Sequence, residues 1–120
     1  MIIFNITMEA SADKRRELEQ VIRSMIPRIR QRVGCNELNW FQDLEQDRSR
    51  LFSVWQNRES LEDYLQSDQF SALLGTKILL SAPHSIQIYN VSSREGSETV
   101  EAVRFRNKHI ENRQGEVDLS

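Results

Sequence analysis

The order of hydrophobic periods along the chain is what most limits its fold. Residues Ile2 to Met8 alternate apolar residues with a mixed set, which is the two-residue period of a β-strand. Ser11 is predicted to cap a helix with its hydroxyl, and apolar residues then recur at helical spacing as far as Gly34, a predicted left-handed stop. The apolar stripe of this helix consists of Leu18, Val21, Ile22, Met25, Ile26, Ile29 and Val33.

Two further strands and a second helical region follow. Asn36 to Asp43 and Arg50 to Gln56 are rich in aromatic and β-branched residues, and the polar stretch between them predicts an antiparallel hairpin. Helical spacing returns after Asn57 in two short pieces, the second of which begins after Ser67. Ile86 to Val91 alternates again as a last strand. The order strand, helix, strand, strand, helix, strand predicts an α+β, ferredoxin-like split β-α-β fold, with one four-stranded antiparallel sheet and helices on one face.

Composition excludes several classes of protein. Sixteen Lys and Arg against eighteen Asp and Glu give a net charge of -2, so we expect neither nucleic acid nor a membrane as a partner. The longest apolar runs are far shorter than the roughly 20 residues that span a bilayer, which predicts a soluble, cytoplasmic protein. Cys35 stands alone and the chain has two histidines, so no disulfide or ordinary zinc site is expected. A metal site built from carboxylates stays open.

The second face of the predicted sheet has no helix to cover it. We expect this face to expose Ile3, Leu51 and Trp55 to water, and a contiguous apolar face of this kind is typical of an interface or a ligand site. Packing of two copies through these faces would bury it. Trp40 and Phe41 point to opposite faces, and which of them faces the helices depends on a register that periodicity does not fix.

Three runs of residues carry a resemblance to a known family. They are Val33-Gly34-Cys35, Phe52-Ser53-Val54-Trp55, and Glu59 to Phe70 with its Leu-x-x-x-Leu-x-Ser-x-x-Phe pattern. Together with the order of elements they resemble the antibiotic biosynthesis monooxygenase (ABM) family. The resemblance implies a homodimer in the form of a dimeric α+β barrel, with a pocket between sheet and helices in each subunit. It covers residues 1–91 as one domain and leaves residues 92–120 as a C-terminal extension.

The family has members of several activities. Some oxidise quinols or polyaromatic substrates with molecular oxygen and no metal or flavin, some degrade haem, and some have no demonstrated reaction. The resemblance implies a cofactor-independent monooxygenase acting on a small electron-rich aromatic or quinol, with no cofactor. The alternative is a non-enzymatic ligand-binding or regulatory dimer of the same fold. Haem binding or degradation is a third hypothesis. It is disfavoured because Leu74 occupies the position of the iron-binding His of the haem-degrading members, and leucine cannot bind iron.

The candidate site residues are Asn5, Trp55 and Tyr64. The Asn5 amide is suited to donate to a substrate oxygen, or else Asn5 is a strand residue satisfied by backbone or water. Trp55 offers a flat face to an aromatic ligand or is simply a core residue, and Tyr64 is a candidate proton relay. Many family members carry Glu where this chain has Ser53 and His where it has Tyr64. Neither Ser nor Tyr ionises near neutral pH, which puts a base-dependent mechanism in doubt.

The extension has two parts. Residues 92–98 read as a linker, and Thr99 to Ile110 carry a weak apolar pattern that fits either a short helix or an added strand. We expect an arm that packs across the partner subunit or covers the pocket entrance if it is ordered, and a solvated tail if it is not.

Overall fold

A computed structural model describes residues 1–113, with side chains described through residue 106. Residues 1–113 form four strands and four α-helices, and a 3-10 helix at Gly75–Leu79 follows the third α-helix. In chain order the elements are β1 (Ile2–Glu9), α1 (Ala12–Arg30), β2 (Cys35–Asp43), β3 (Arg48–Trp55), α2 (Arg58–Leu65), α3 (Asp68–Leu74), β4 (Ser85–Asn90) and α4 (Ser97–Arg113).

The strands form one antiparallel sheet in the order β2-β3-β1-β4. The predicted α+β, ferredoxin-like arrangement is therefore confirmed, including the β2–β3 hairpin. The sheet has two unlike faces. The helix face packs against α1, α2 and α3, and its buried residues form the core with apolar residues of those helices. The strand residues of that core are Ile2, Phe4, Ile6, Met8, Leu38, Leu51 and Trp55.

The opposite face, called the open face below, carries the alternate residues of each strand. Its central row crosses all four strands through Asn39, Phe52, Asn5 and Gln87. The prediction that Leu51 and Trp55 lie on this face was wrong. Their exposed fractions are 2% and 0%, because the register pairs Leu51 with Ile6 and Trp55 with Ile2 on the helix face.

The register also places the two aromatic neighbours of β2. Trp40 is opposite Leu51 and packs against the core, whereas Phe41 is opposite Arg50 on the open face and remains 47% exposed. The Arg50 guanidinium carbon lies 5.6 Å from the centre of the Phe41 ring, so the arginine covers part of this ring.

The ends of α1 differ from the sequence prediction. Ser11 precedes the helix, but its hydroxyl makes no cap to a helix amide and donates to the Asp13 carboxylate instead, over 2.5 Å. Since α1 ends at Arg30, Val33 falls outside the apolar stripe and is 88% exposed. Gly34 has a φ of 85°, as a left-handed stop requires.

The short helices have side-chain caps. The Asn57 side chain accepts from the Ser60 amide at the start of α2, and the Ser67 hydroxyl oxygen accepts from the Phe70 amide at the start of α3. In the extension the chain forms the helix α4, not a strand, and Val100 and Val103 are 57% and 41% exposed on it. Over the described residues, we find no helix with the length and apolar character needed to cross a membrane.

Candidate functional site

Four aromatic rings fill the space between the helix face and the short helices. Tyr64 of α2 stacks on Trp55 of β3 with ring centres 5.0 Å apart and planes 18° from parallel. Phe70 of α3 meets the edge of Tyr64 at 5.3 Å, and Phe4 of β1 lies 5.9 Å from Phe70 and 6.4 Å from Tyr64. We call these four residues the aromatic cluster. It brings together two of the three predicted site residues, Trp55 and Tyr64.

The polar end of Trp55 is bound within β3. Its indole Nε1 donates to the Ser53 hydroxyl oxygen over 2.9 Å, and that hydroxyl donates to the Phe4 carbonyl over 3.1 Å. All three residues are buried, so the hydrogen bonds form in a dry environment where an unpaired N–H would be costly. The indole is therefore held at a fixed angle, with its face against Tyr64.

The Tyr64 hydroxyl is not satisfied in this way. The residue is 1% exposed, and among the described residues its oxygen has no hydrogen-bond partner. Burial raises the pKa of the phenol, an effect that the positive charge of Arg32 partly opposes. The Arg32 guanidinium carbon lies 5.7 Å from the centre of the Tyr64 ring, and its Nη1 donates to Gln69. The site therefore holds a protonated phenol beside a cation.

Sequence reasoning did not find Arg32. It falls between the end of α1 and Gly34, where a surface charge is ordinary, and its contact with the Tyr64 ring forms only in the folded chain. Cys35 also acts on Tyr64 and helps to raise its pKa. Burial raises the pKa of the Cys35 thiol itself. A raised pKa leaves the thiol protonated at neutral pH, which argues against a nucleophilic role.

The expected pocket between sheet and helices is filled by these side chains. Trp55 and Tyr64 are 0% and 1% exposed, and their stacked rings leave no space between them for a third ring. An aromatic ligand reaches the stacked face of Trp55 or of Tyr64 only if the two rings separate. Since Trp55 is fixed to the strand through Ser53, the movable partner is Tyr64 on α2.

Asn5, the third predicted site residue, lies on the other side of the sheet. It alternates with Phe4 and Ile6 on β1 and therefore faces the open face, where its Nδ2 donates to Gln87 Oε1 on β4 over 3.1 Å. Asn5 is 8% exposed, and its Oδ1 has no partner within the described part of the chain. The sheet thus separates Asn5 from Trp55 and Tyr64.

Asn5 and Gln87 border a shallow groove on the open face. The groove has a volume of about 410 Å³. It is also lined by Thr7, Phe41, Gln42, Asp43, Arg48, Ser49 and Arg50. The lining combines acidic, basic and neutral polar side chains with one aromatic ring, unlike the apolar surroundings of Tyr64 and Trp55. The groove and the aromatic cluster are therefore candidate sites with different chemistry.

His84 belongs to neither site. The Thr76 hydroxyl donates its one hydrogen to the Leu73 carbonyl over 2.6 Å, so at 3.1 Å from His84 Nε2 it acts as the acceptor. The ring nitrogen of His84 therefore carries a proton and ties the start of β4 to the 3-10 helix. Burial, together with the charge of Lys77, lowers the pKa of this imidazole.

Comparison with known proteins agrees with the geometry of the fold. Residues 1–75 match the sequence profile of the antibiotic biosynthesis monooxygenases. An uncharacterized protein of the cyanobacterium Synechocystis sp. is 28% identical over 90 residues, which cover 73% of this chain. The chain spans 61% of the length of that relative.

Solved structures resemble this chain over most of its length. A candidate antibiotic biosynthesis monooxygenase from Deinococcus radiodurans superposes with a TM-score of 0.73 at 22% identity, covering 80% of this chain and 97% of that one. The Rv0793 protein of Mycobacterium tuberculosis gives a TM-score of 0.72 at 17% identity, covering 79% and 98%. At these identities the likeness establishes the fold alone.

Proposed function

Because the chain belongs to the antibiotic biosynthesis monooxygenase family, we propose that it is a monooxygenase that oxidises a small electron-rich aromatic or quinol with molecular oxygen. We place the substrate at the aromatic cluster, between Trp55 and Tyr64, and assign the activity to a homodimer. In this proposal residues 1–91 form the domain that carries the activity, and residues 92–120 form a C-terminal extension.

One observation carries the proposal: the Tyr64 hydroxyl is buried and has no partner among the residues described. Buried hydroxyls are nearly always hydrogen-bonded, so an unpaired one beside two aromatic faces favours an oxygen-bearing aromatic ligand as the missing acceptor. A phenolate or enolate oxygen is the best acceptor of this kind, because it is charged and the Arg32 cation lies near the same ring.

The chemistry needs little from the protein. For an anthrone-like substrate, a CH2 group and O2 give a C=O group and H2O, so the substrate supplies all four electrons. Deprotonation of the substrate makes it reactive toward oxygen, and groups that stabilise the resulting anion lower the barrier. Tyr64 supplies a hydrogen bond to the anion, Arg32 supplies positive charge, and Trp55 supplies a flat surface that orients the ring.

Entry of the substrate requires a movement of α2. Tyr64 and Leu61 of this helix are 1% and 0% exposed, so the stacked rings are closed to solvent. A shift of α2 away from β3 separates the rings of Tyr64 and Trp55 and leaves the indole bound to Ser53. Closure around the substrate then excludes water, which strengthens the hydrogen bond from Tyr64.

The test is oxygen uptake by chelator-treated protein with a panel of quinols and anthrone-like phenols. We expect turnover that falls about tenfold or more in Tyr64→Phe and in Trp55→Phe, since each loses an interaction with the oriented substrate. Trp40→Phe is the matched control. The Trp40 substitution also replaces an indole by a phenyl ring, but Trp40 lies on β2, outside the aromatic cluster. Its buried indole N–H has no partner in the described part of the chain. Equal turnover in all three variants would remove the proposed site.

A second candidate function rests on a separate observation. Ser53 and Tyr64 stand where many family members carry Glu and His, and burial raises the Tyr64 pKa still further above neutrality. A site without a group that titrates near pH 7 favours a non-enzymatic, ligand-binding or regulatory dimer. Quenching of tryptophan fluorescence by an aromatic ligand that is recovered unchanged, with no oxygen uptake, would support this function over oxygenation.

A further inference from the structure

Arg32 is a half-buried cation that has no carboxylate partner among the described residues. Four other arginines do form ion pairs with carboxylates: Arg15, Arg23, Arg48 and Arg58. Arg32 instead donates from Nη1 to the neutral amide oxygen of Gln69 over 3.1 Å, and its guanidinium carbon lies 5.7 Å from the centre of the Tyr64 ring. These contacts use one N–H of the guanidinium and leave the others without a partner in the described residues.

A second cation, Arg30, lies near the same corner of the fold, since its charge acts on the Cys35 thiol. Arg30 Nε and Nη2 both donate to the Leu38 carbonyl, and within the described part of the chain this arginine forms no ion pair either. Asp68 at the start of α3 is exposed and pairs with neither Arg30 nor Arg32 in the residues described. Two guanidinium groups whose described partners are all neutral favour the approach of an anion.

Gln69 holds Arg32 by a neutral contact that a stronger acceptor displaces. Gln69 lies on α3 and lines a groove of about 480 Å³ between α1 and α3, so its side chain has space to turn away. A carboxylate binds a guanidinium through two parallel N–H···O bonds, each about twice as strong as a bond between neutral groups. A ligand carboxylate that reaches Arg32 therefore replaces the Gln69 amide oxygen.

Tyr64 and Arg32 suit two different oxygen groups of one ligand. In the proposed function the Tyr64 hydroxyl donates to the oxygen on the substrate ring. The Arg32 guanidinium lies at the same tyrosine ring, and its planar set of donors matches the two oxygens of a carboxylate better than a single ring oxygen. Burial of a cation without a counter-ion costs free energy, and a bound anion offsets this cost. An aromatic ligand with a carboxylate thus satisfies both side chains.

We propose that the substrate of the aromatic cluster is a quinol or phenol that carries a carboxylate, and that Arg32 binds this carboxylate and so selects the substrate. This inference rests on the proposed function and names the substrate class of its site. Gln69 is a positioning residue, which holds the Arg32 guanidinium beside Tyr64 while the site is empty. Arg32 contributes affinity for the substrate and takes no part in proton transfer.

The test compares two probes that differ mainly in charge: 2,5-dihydroxybenzoate, a quinol with a carboxylate, and its methyl ester. Isothermal titration calorimetry of full-length protein in the absence of oxygen measures binding without turnover. We expect the wild type to bind the acid about tenfold or more tightly than the ester. Arg32→Gln should bind the acid about tenfold more weakly than the wild type does and bind the ester within about twofold of it.

Gln69→Glu is a second variant, which keeps Arg32 and occupies it. The introduced carboxylate pairs with the guanidinium at neutral pH, so we expect the affinity for the acid to fall about tenfold and the affinity for the ester to change little. Arg16→Gln removes the same charge as Arg32→Gln from an exposed position near the start of α1. This matched control should keep the preference of the wild type. Far-ultraviolet circular dichroism checks that all three variants fold.

Binding and oxygen uptake separate this inference from the proposed function. Equal affinity of the wild type for acid and ester, or an acid affinity in Arg32→Gln as high as in Arg16→Gln, would overturn the carboxylate assignment even if quinols are oxidised. Failure of both probes to bind at millimolar concentration would overturn it as well. Loss of the preference in Arg32→Gln and Gln69→Glu, with no oxygen uptake by the wild type, would overturn the oxygenase and leave Arg32 as the residue that selects the ligand.

Discussion

The indole Nε1 of Trp55 donates a hydrogen bond to the hydroxyl of Ser53, two residues earlier on the same strand, over 2.9 Å. Side chains two apart on a strand share a face, so the bond follows directly from the extended backbone of β3. The Ser53 hydroxyl in turn donates a hydrogen bond to the Phe4 carbonyl on β1. Ser53 therefore fixes the orientation of the Trp55 indole.

This arrangement predicts a loss of stability in Ser53→Ala. The variant leaves a buried indole N–H without an acceptor, and we expect the free energy of unfolding to fall by about 1–3 kcal/mol. Ser49→Ala is a matched control, because Ser49 lies on the same strand and face and contacts the Met8 carbonyl at 3.5 Å without receiving an indole hydrogen bond. Urea denaturation of both variants checks the difference; equal losses would show that the indole bond contributes nothing.

Tyr64→Phe is expected to separate stability from function. The substitution removes a buried hydroxyl that has no partner among the described residues. We therefore expect the free energy of unfolding at pH 7 to stay unchanged or to rise by about 1 kcal/mol. Burial raises the Tyr64 pKa above its ordinary value of about 10, so above that pH the unfolded chain loses a proton that the folded chain keeps. Wild type should therefore lose more stability than Tyr64→Phe between about pH 8 and about pH 10.5. Urea denaturation at both pH values would count against this account if the two proteins lost stability in parallel.

The two glycines at helix ends should respond in opposite ways to alanine. At Gly34 the φ is 85°, and an added Cβ would lie 2.1 Å from the Ser60 hydroxyl oxygen, so we expect Gly34→Ala to cost about 1–3 kcal/mol. At Gly75 the φ is -61° and a Cβ would meet nothing within 4 Å. Gly75→Ala should be neutral or stabilise by about 0.4–1 kcal/mol. Thermal melts of the pair compare the two positions directly, and similar melting temperatures would contradict the clash.

His84 makes stability depend on pH. Burial and Lys77 lower its pKa, so the folded state favours the neutral ring and the unfolded state takes up a proton first as pH falls. The stabilising contribution is complete above the ordinary pKa of about 6.5 and is lost as pH falls through the lowered value. In His84→Gln the melting temperature should decline less than in wild type between about pH 8 and about pH 5. Parallel declines would exclude His84 as the cause.

Removal of the extension tests whether the sheet domain folds alone. Truncation after Ser93 keeps the last backbone bond of the domain, from the Val91 amide to the Met1 carbonyl, and removes α4 with its exposed Val100 and Val103. We expect the melting temperature to change by less than about 3 °C, because Val100 and Val103 are exposed and their removal uncovers little of the core. A larger fall would show that residues beyond Ser93 belong to the folding unit.

The order and type of the elements could be predicted because they depend on local spacing. The two-residue period of Ile2 to Met8 and the helical spacing from Leu18 to Ile29 each require only neighbours along the chain, and both elements form as predicted. The errors at the ends of α1 have local causes too. The Ser11 hydroxyl has a competing acceptor in Asp13, and Val33 lies in the turn before Gly34 instead of in the helix.

The face on which each side chain lies could not be predicted in the same way. Alternation says that Trp55 and Val54 point in opposite directions, but which of them meets the helices depends on the pairing of β3 with β1. A shift of one residue in that pairing exchanges the two faces, and the expectation that Trp55 is exposed had this origin. The sequence identified Trp55 and Tyr64 as candidate site residues. The pairing of β3 with β1 placed Trp55 on the helix face, where it stacks on Tyr64 of α2.

The α+β order, the turn at Gly34 and the residue types available for chemistry could all be predicted from the amino-acid sequence, because each follows from short-range sterics and periodicity. The position of Asn5, across the sheet from Tyr64 and beside Gln87, which is 82 positions away along the chain, depends instead on the packing of the whole fold. Contacts of this kind depend on strand pairing and on which residues compete for the same interior space. Those long-range terms have no signature in the local pattern, and they separate the aromatic cluster on one face of the sheet from the amide pair on the other.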